Sequence, residues 1–212
     1  MEFAETVPRS DGAGLAEGDA SSLISRLRAA TAQAHARLET ALALVPADRD
    51  RFIIVLEAFL GFHRVWEPAM RAQSRLAPLF EGRTRRGLLE RDLLALGCTP
   101  QALAALPDCP RAAGLAADPY AALGSLYVME GSTLGGRVIS AALAEAGGFP
   151  PGGLAYFNPY GERTGAMWRA FRAEAEAFAP VHTHGCVERG ALDCFALLTE
   201  WLPGRLLEEG HA

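Results

Sequence analysis

Prolines and glycines divide this sequence into segments within which apolar residues recur every three or four positions. That period is typical of an α-helix that buries one face. No segment alternates strictly between apolar and polar residues, as a half-buried strand would. The pattern therefore predicts an all-α fold, a single compact domain of about seven or eight helices.

Helix boundaries follow from capping residues and helix breakers. Thr99 and Asp118 each precede a proline, so a capping side chain is followed by a residue suited to the first helical position. Gly97 and Gly147 are typical of the position just after a helix, and Pro68 is expected to end or kink its helix. We predict helices over about 21–44, 50–68, 84–96, 119–146, 162–179 and 187–202, with a short one beginning at Pro100.

Composition excludes several classes of function. The 20 basic residues, all of them arginine, are outnumbered by 25 acidic residues. A mildly acidic protein is a poor non-specific binder of nucleic acid, so we expect no nucleic-acid partner. Because lysine is absent, neither a lysine nucleophile nor a P-loop lysine is available. The four cysteines show no CxxC spacing and favour free thiols in a reducing cytoplasm.

The N-terminal residues 1–20 differ in composition from the rest of the chain. They are rich in glycine and acidic residues and lack the apolar stretch of a secretory signal. We predict a disordered tail over 1–20 and a helical domain over 21–205. No run of about 18 apolar residues occurs, so we expect no membrane partner and a cytoplasmic protein.

His35 is the first candidate for chemistry. Glu39 follows it by four residues, so both side chains share one face of the predicted helix. A neutral imidazole is a common ligand of iron or zinc, and a carboxylate one turn away can hold its other ring nitrogen. By spacing alone, a surface histidine beside a surface glutamate is the simpler interpretation.

A group of glycines is the second candidate. Gly131, Gly135 and Gly136 lie within the otherwise strongly helical segment LYVMEGSTLGGRVISAAL. Each glycine costs about 1 kcal/mol relative to alanine inside a helix, so three in six residues require a reason. The helix backbone could approach a planar ligand closely, with a kink that opens space above it. Tight packing of small residues against another helix is the alternative, and the sequence leaves both open.

Three segments, in this order, resemble motifs of the haem oxygenase family. LRAATAQAHARLE at 27–39 resembles the proximal-helix motif, and LYVMEGSTLGGRV at 126–138 resembles the distal-helix motif. YGERTGAMWRAF at 160–171 is similar to a later helix of the bacterial, biliverdin-producing members. The resemblance implies that haem lies between a proximal helix and a kinked distal helix.

The resemblance also implies roles for individual residues. His35 takes the place of the proximal iron ligand, and Glu39 that of the carboxylate that holds the ligand's far nitrogen. Gly131 and Gly135 match the distal glycines whose backbone contacts the haem and its bound dioxygen, and Gly136 completes that haem-binding set. The implied partners of the haem propionates are Arg28, Arg137 and Arg169.

Ser132 is a departure from the family pattern. Many members carry an aspartate directly after the first distal glycine, where it organises water near the dioxygen. A serine hydroxyl can hold a water molecule, but it cannot act as an anionic anchor. We place Ser132 with Gly131 and Gly135 in the catalytic group and leave the route of proton delivery open.

The activity implied by the resemblance is the opening of haem, which is both cofactor and substrate. Dioxygen and electrons from an external reductase or ferredoxin convert it to biliverdin, carbon monoxide and Fe²⁺, and a bilin-binding photoreceptor is an implied downstream partner. Ser132 leaves an alternative, a haem-binding or haem-sensing protein of the same fold without turnover. A hydrolase of the thiaminase type would need a pocket cysteine, and neither distinctive motif contains one.

The remaining polar candidates are expected to be structural. His63 lies in the most apolar segment and is expected to be a buried histidine with its hydrogen bonds satisfied. Trp168 and Phe195 could border the haem. The side chains expected at the surface are those of His182 and His184 and of an arginine cluster that could also dock an acidic reductase, Arg83, Arg85 and Arg86.

Overall fold

The computed structural model describes residues 22–42, 49–150 and 152–209, with side chains described as far as Leu202. In these ranges the chain forms α-helices and short 3₁₀ turns and no strand, which confirms the prediction of a single all-α domain. The helices are α1 (Leu23–Leu42), α2 (Arg49–Ala72), α3 (Ala77–Phe80), α4 (Arg86–Ala95), α5 (Pro100–Ala105), α6 (Pro119–Ala146), α7 (Thr164–Phe178) and α8 (His184–Glu209).

The predicted caps form as expected. Thr99 Oγ1 accepts a hydrogen bond from the Ala102 N–H at 3.1 Å and begins α5. Asp118 Oδ1 accepts from the N–H groups of the second and third residues of α6, each at 3.0 Å. Gly97 and Gly147 follow α4 and α6 with φ of 96° and 79°, a conformation that glycine adopts without strain.

Two prolines do not end their helices as predicted. α2 continues past Pro68 to Ala72, and α8 continues past Pro203 to Glu209. A proline inside a helix costs about 3 kcal/mol, but Trp66 and Met70 on either side of Pro68 are fully buried, so packing outweighs that cost. The predicted tail 1–20 and the end of the first predicted helix at Leu44 lie outside the described residues.

α8 is the central element of the fold, because both α1 and α6 pack along it. Two glycines let α6 and α8 approach closely. A Cβ on Gly124 would collide with the Val187 carbonyl, and one on Gly190 would collide with the backbone of Ala121. α2 is tied to α6 by a hydrogen bond between two buried side chains, Trp66 Nε1 and Ser125 Oγ, at 3.0 Å.

The start of α1 is fixed from another helix. Glu176 on α7 accepts hydrogen bonds from the N–H groups of Leu23 and Ile24, at 3.3 and 3.2 Å. These backbone donors have no partner inside their own helix, and a carboxylate at a helix N-terminus also meets the favourable end of the helix dipole. Helix α1 is therefore held at its first turn. No helix in the described ranges is long and apolar enough to cross a bilayer.

The contact between α6 and α8 predicts a large difference between two glycine substitutions. Gly124→Ala places a methyl group against backbone atoms of α8 and is expected to lower the free energy of unfolding by about 1–3 kcal/mol. Gly87→Ala, in α4 with no atom within 4 Å of the added Cβ, is the matched control and is expected to raise it by up to about 1 kcal/mol. Urea unfolding followed by circular dichroism measures both. Equal stabilities would contradict this account of the contact.

Candidate functional site

An apolar cavity lies where α1, α6 and α8 come together. Its composition is typical of small-molecule sites, in which apolar walls carry a few placed polar groups. Its apolar walls are built mainly from Leu38, Leu42, Phe59, Val128, Met129, Ile139, Phe157, Phe195 and Leu198. The polar side chains that line it are His35, Glu39, Arg85, Ser132, Thr133 and Tyr156.

The cavity brings together most of the site residues predicted from sequence. His35 and Glu39 line it from α1, and Ser132, Gly135 and Gly136 line it from α6. These two groups are about a hundred residues apart in the chain, so only the packing of α1 and α6 on α8 brings them to one place. The predicted site residues that are not among its lining are Gly131 and the exposed Arg28, Arg137 and Arg169.

His35 is held at one edge of its ring only. Its side chain is 51% exposed, and Nδ1 lies 3.4 Å from Glu39 Oε2. The ring of Phe195 meets the imidazole edge to face, with centroids 5.9 Å apart. No hydrogen bond from a described residue reaches Nε2, so that nitrogen is the one available to a ligand.

The three glycines of this group differ in their surroundings. A Cβ on Gly136 would collide with the Phe157 carbonyl, so this glycine is required for packing of the 152–160 loop on α6. A Cβ on Gly135 would meet no atom within 4 Å, and this residue lines the cavity. Gly131 lies beside Trp168, whose Cη2 would be 3.9 Å from the added Cβ. Because α6 is helical through all three glycines, the kink remains a prediction.

The prediction of a solvated arginine cluster is wrong for two of its members. Arg83 and Arg85 are only 5% and 2% exposed, whereas Arg86 is at the surface. Both buried guanidinium groups pair with the buried carboxylate of Glu130 on α6, Arg83 Nη1 at 2.7 Å and Arg85 Nη2 at 2.8 Å. Arg83 also pairs with Glu174 of α7 at 2.9 Å. Burial excludes Arg83 and Arg85 as a docking surface for a reductase.

Glu130 is the functional signal that sequence reasoning missed. A carboxylate in the apolar stretch of α6 requires a buried cation, since an unpaired buried charge is costly. Burial lowers the pKa of the Arg85 guanidinium, but the Glu130 carboxylate and the Tyr160 hydroxyl more than offset this, so the group stays charged. Tyr160 donates its O–H to Glu130 Oε1 at 2.8 Å.

Arg85 connects this buried ion cluster with the cavity. Its Nη1 lies 3.4 Å from the oxygen of Ser132, and the Ser132 O–H donates to the Met129 carbonyl at 2.8 Å. The Nε–H of Arg85 is buried and has no hydrogen-bond partner in the described part of the chain. The wall that carries Ser132 in place of an aspartate therefore also carries a buried positive charge with a free donor.

A second buried network adjoins the first. Glu67 Oε1 accepts from His63 Nδ1 at 3.0 Å and from the backbone N–H groups of Arg85 and Arg86 at 2.6 and 2.8 Å. Burial raises the pKa of Glu67, but these donors bring it below its ordinary value, so the carboxylate is ionised. The expectation that His63 is a buried, satisfied histidine is confirmed. His184 was expected at the surface, but it is buried, with Nε2 3.2 Å from the Ala179 carbonyl.

Fold and cavity together define an all-helical protein with an apolar cavity between two helices that pack on a third. The family model for heme oxygenase matches residues 21–203, and the chain therefore belongs to the haem oxygenase family.

Solved structures agree in fold. Heme oxygenase from Leptospira interrogans is similar with a TM-score of 0.75 at 17% identity, over 86% of this chain and 99% of that one. Heme oxygenase 2 from Chlamydomonas reinhardtii, solved without heme, is similar with a TM-score of 0.67 at 19% identity, over 85% and 96%. Nothing matches among curated proteins.

The buried ion cluster predicts a strong effect of Glu130→Gln. This change keeps the shape of the side chain but leaves the buried Arg85 guanidinium without its counter-charge and Arg83 with Glu174 alone, at an expected cost of about 3–5 kcal/mol. Glu200→Gln removes an ion pair with Arg111 at the surface and is the control, with no measurable change expected. Chemical unfolding measures both, and a Glu130→Gln protein as stable as the control would refute the cluster's structural role.

Proposed function

We propose that this protein opens haem oxidatively. Haem is bound in the cavity where α1, α6 and α8 meet. Dioxygen and electrons from an external reductase or ferredoxin convert it to biliverdin, carbon monoxide and Fe²⁺. The observation that carries the proposal is that His35 and the open Gly135 lie on the walls of one apolar cavity. Family membership supports it. A cytoplasmic location and a bilin-binding photoreceptor that takes up the product belong to the same proposal.

The residues of the cavity fit a haem group. A porphyrin is a flat apolar body, and the cavity walls are mostly aliphatic and aromatic. Neutral imidazole is the usual haem ligand where thiolate chemistry is not required. Glu39 Oε2, 3.4 Å from His35 Nδ1, favours the tautomer in which Nε2 is free to bind iron. Helix α1 therefore supplies an imidazole with a carboxylate partner, the kind of ligand that haem iron binds.

When bound, haem supplies a redox-active iron and the porphyrin edge that is oxidised. The protein's contribution is to bind, orient and exclude water. His35 holds the ring from α1, and Gly135, without a side chain, leaves space beside the α6 backbone. Ser132, with Arg85 Nη1 3.4 Å from its oxygen, is the polar group that can hold water on the α6 side.

The exposed arginines are the proposed partners of the haem propionates. Burial raises the pKa of Tyr127 on α6, and the charge of Arg28 on α1 acts in the opposite sense, so the two side chains are close enough to interact. This places a cation on the side of α1 that faces α6. Arg137 and Arg169 are exposed on α6 and α7 and are available for the same role. A flexible surface arginine can form a bidentate pair with a carboxylate.

Two alternatives differ in what the cavity does. Ser132 carries no charge, which favours a haem-binding or haem-sensing protein that does not turn over as the second candidate. A hydrolase with a cysteine nucleophile is not favoured, because no cysteine lines the cavity. Burial also raises the pKa of the Cys194 thiol and makes it unreactive.

Substitution of His35 tests the proposal. Wild-type protein mixed with hemin should show a Soret band that a reductant under air converts to a biliverdin band. His35→Ala should abolish this conversion while retaining weakened haem binding through the apolar walls. His182→Ala, at an exposed histidine away from the cavity, is the control and should behave as wild type. Normal ring opening by His35→Ala would refute the assignment, and a stable Soret band in the wild type would favour the sensor.

Gly135→Ala separates function from stability. The added methyl group meets no protein atom, so the haem-free protein should be as stable as wild type or more stable by up to about 1 kcal/mol. The same methyl group enters the cavity and should slow haem opening at least about tenfold or change its product. Gly87→Ala gains the same helix propensity outside the cavity and should keep full activity. Unaltered product and rate for Gly135→Ala would contradict the role of the open glycine.

A further inference from the structure

Tyr156 joins the cavity to the buried network around Glu67. It lines the cavity, and its hydroxyl oxygen lies 3.2 Å from His63 Nε2. The residue is fixed at its backbone as well, because its N–H donates to the buried carboxylate of Asp92 at 2.7 Å. The side chain of His63 is fully buried and is not part of the cavity lining. It meets two lining residues, Tyr156 and Phe59, directly and is linked to Arg85 through Glu67. Any effect of His63 on the site must therefore pass through another residue.

The direction of the hydrogen bond between His63 and Tyr156 is set by Glu67. An ionised carboxylate can only accept, so His63 Nδ1 must carry the proton that it shares with Glu67. Burial lowers the pKa of His63, and the Glu67 carboxylate offsets this only in part. The imidazole ring is therefore neutral and carries one N–H proton. Nε2 is then a bare acceptor, and the Tyr156 O–H is the donor of the 3.2 Å bond.

We propose that His63 is a positioning residue for haem opening. Because His63 accepts a hydrogen bond from the Tyr156 O–H, the Tyr156 oxygen can only accept hydrogen bonds from other groups. A water molecule or hydroxyl group that reaches this oxygen must therefore donate to it. This inference rests on the proposed function, since it concerns the polarity of the same cavity.

Two other polar groups in the cavity lining are Ser132 and Arg85. The Ser132 O–H is committed to the Met129 carbonyl, so Ser132 also presents an acceptor. Arg85, whose Nη1 lies 3.4 Å from the Ser132 oxygen, supplies a positive charge in the same cavity lining. A water molecule that reaches the Tyr156 oxygen must donate to it as long as His63 Nε2 accepts from the Tyr156 O–H. His63 therefore sets the direction of the hydrogen bond between Tyr156 and such a water.

The tautomer of His63 is tested first, in the haem-free protein. ¹⁵N NMR of histidine-labelled protein should show a neutral ring protonated at Nδ1, with the signal assigned by its loss in His63→Gln. Tyr156→Phe should leave this tautomer unchanged, because Glu67 sets it. A ring protonated at Nε2, or charged at neutral pH, would overturn the inference whatever the enzyme's activity.

A double-mutant cycle then tests whether His63 acts through Tyr156. Tyr156→Phe and His63→Phe should each lower the rate of haem opening at saturating haem by about three- to tenfold, the range of one hydrogen bond, with the KM for haem within about twofold of wild type. The double variant should be no slower than either single variant. His63→Gln, whose amide can donate to Glu67 and accept from Tyr156, should restore most of the rate.

Each outcome of the cycle distinguishes the two proposals. Wild-type protein that binds haem but does not open it would refute the proposed function, while the NMR result would still decide the direction of the hydrogen bond. An active wild type with full rate in His63→Phe, or with additive losses in the double variant, would refute the positioning role alone. Thermal melts identify a variant that fails to fold. If His63→Phe fails to fold, the comparison is made between Tyr156→Phe and His63→Gln.

Discussion

The approach of α6 to α8 is the contact from which the rest of the architecture follows. Gly124 on α6 and Gly190 on α8 bring the two backbones together at a distance that no side chain would permit. Helix α1 packs along the same central helix, so α1 and α6 are held apart by α8 rather than against each other. The space left between them is the cavity, and His35 and Gly135 reach it from separate helices. The cavity therefore depends on a contact between two helix backbones and not on its polar residues.

Buried charge then gives one wall of this cavity its polarity. Glu130 is held between Arg83 and Arg85, and Glu67 receives two backbone N–H groups and a histidine. Charged groups are stable inside a protein only when they are paired and hydrogen-bonded. Removing one partner leaves the other charge buried without compensation. The arrangement is consequently rigid. It places a fixed cation behind Ser132, where the family pattern has an anion on the helix itself.

The outcome of the sequence predictions has physical reasons. The helix starts at Thr99 and Asp118 could be predicted because capping involves only residues that are near in sequence. The all-α class could be predicted because the hydrophobic period is also a feature of neighbouring residues. Pro68 was expected to end or kink its helix, but the helix continues past it, because burial of its neighbours, a long-range effect, outweighs a local penalty. The resemblance led to His35 and Gly135, and both residues line the cavity.

The arginines were misjudged for a related reason. A run of charged residues is usually solvated, and nothing in the segment 83–86 itself shows that a carboxylate 45 residues later will cover Arg85. Glu130 within an apolar helix was the available signal. His63 and Glu67 have the same four-residue spacing as His35 and Glu39, but Tyr156 joins them from a distant loop, which no spacing rule could have predicted.

The link between His35 and haem iron is the central claim, and resonance Raman spectroscopy of the ferrous complex tests it most directly. The account predicts an iron–imidazole stretching mode in the wild type that is absent in His35→Ala and returns when free imidazole is added. A mode that persists in His35→Ala, or a wild-type spectrum that shows another axial ligand, would contradict it.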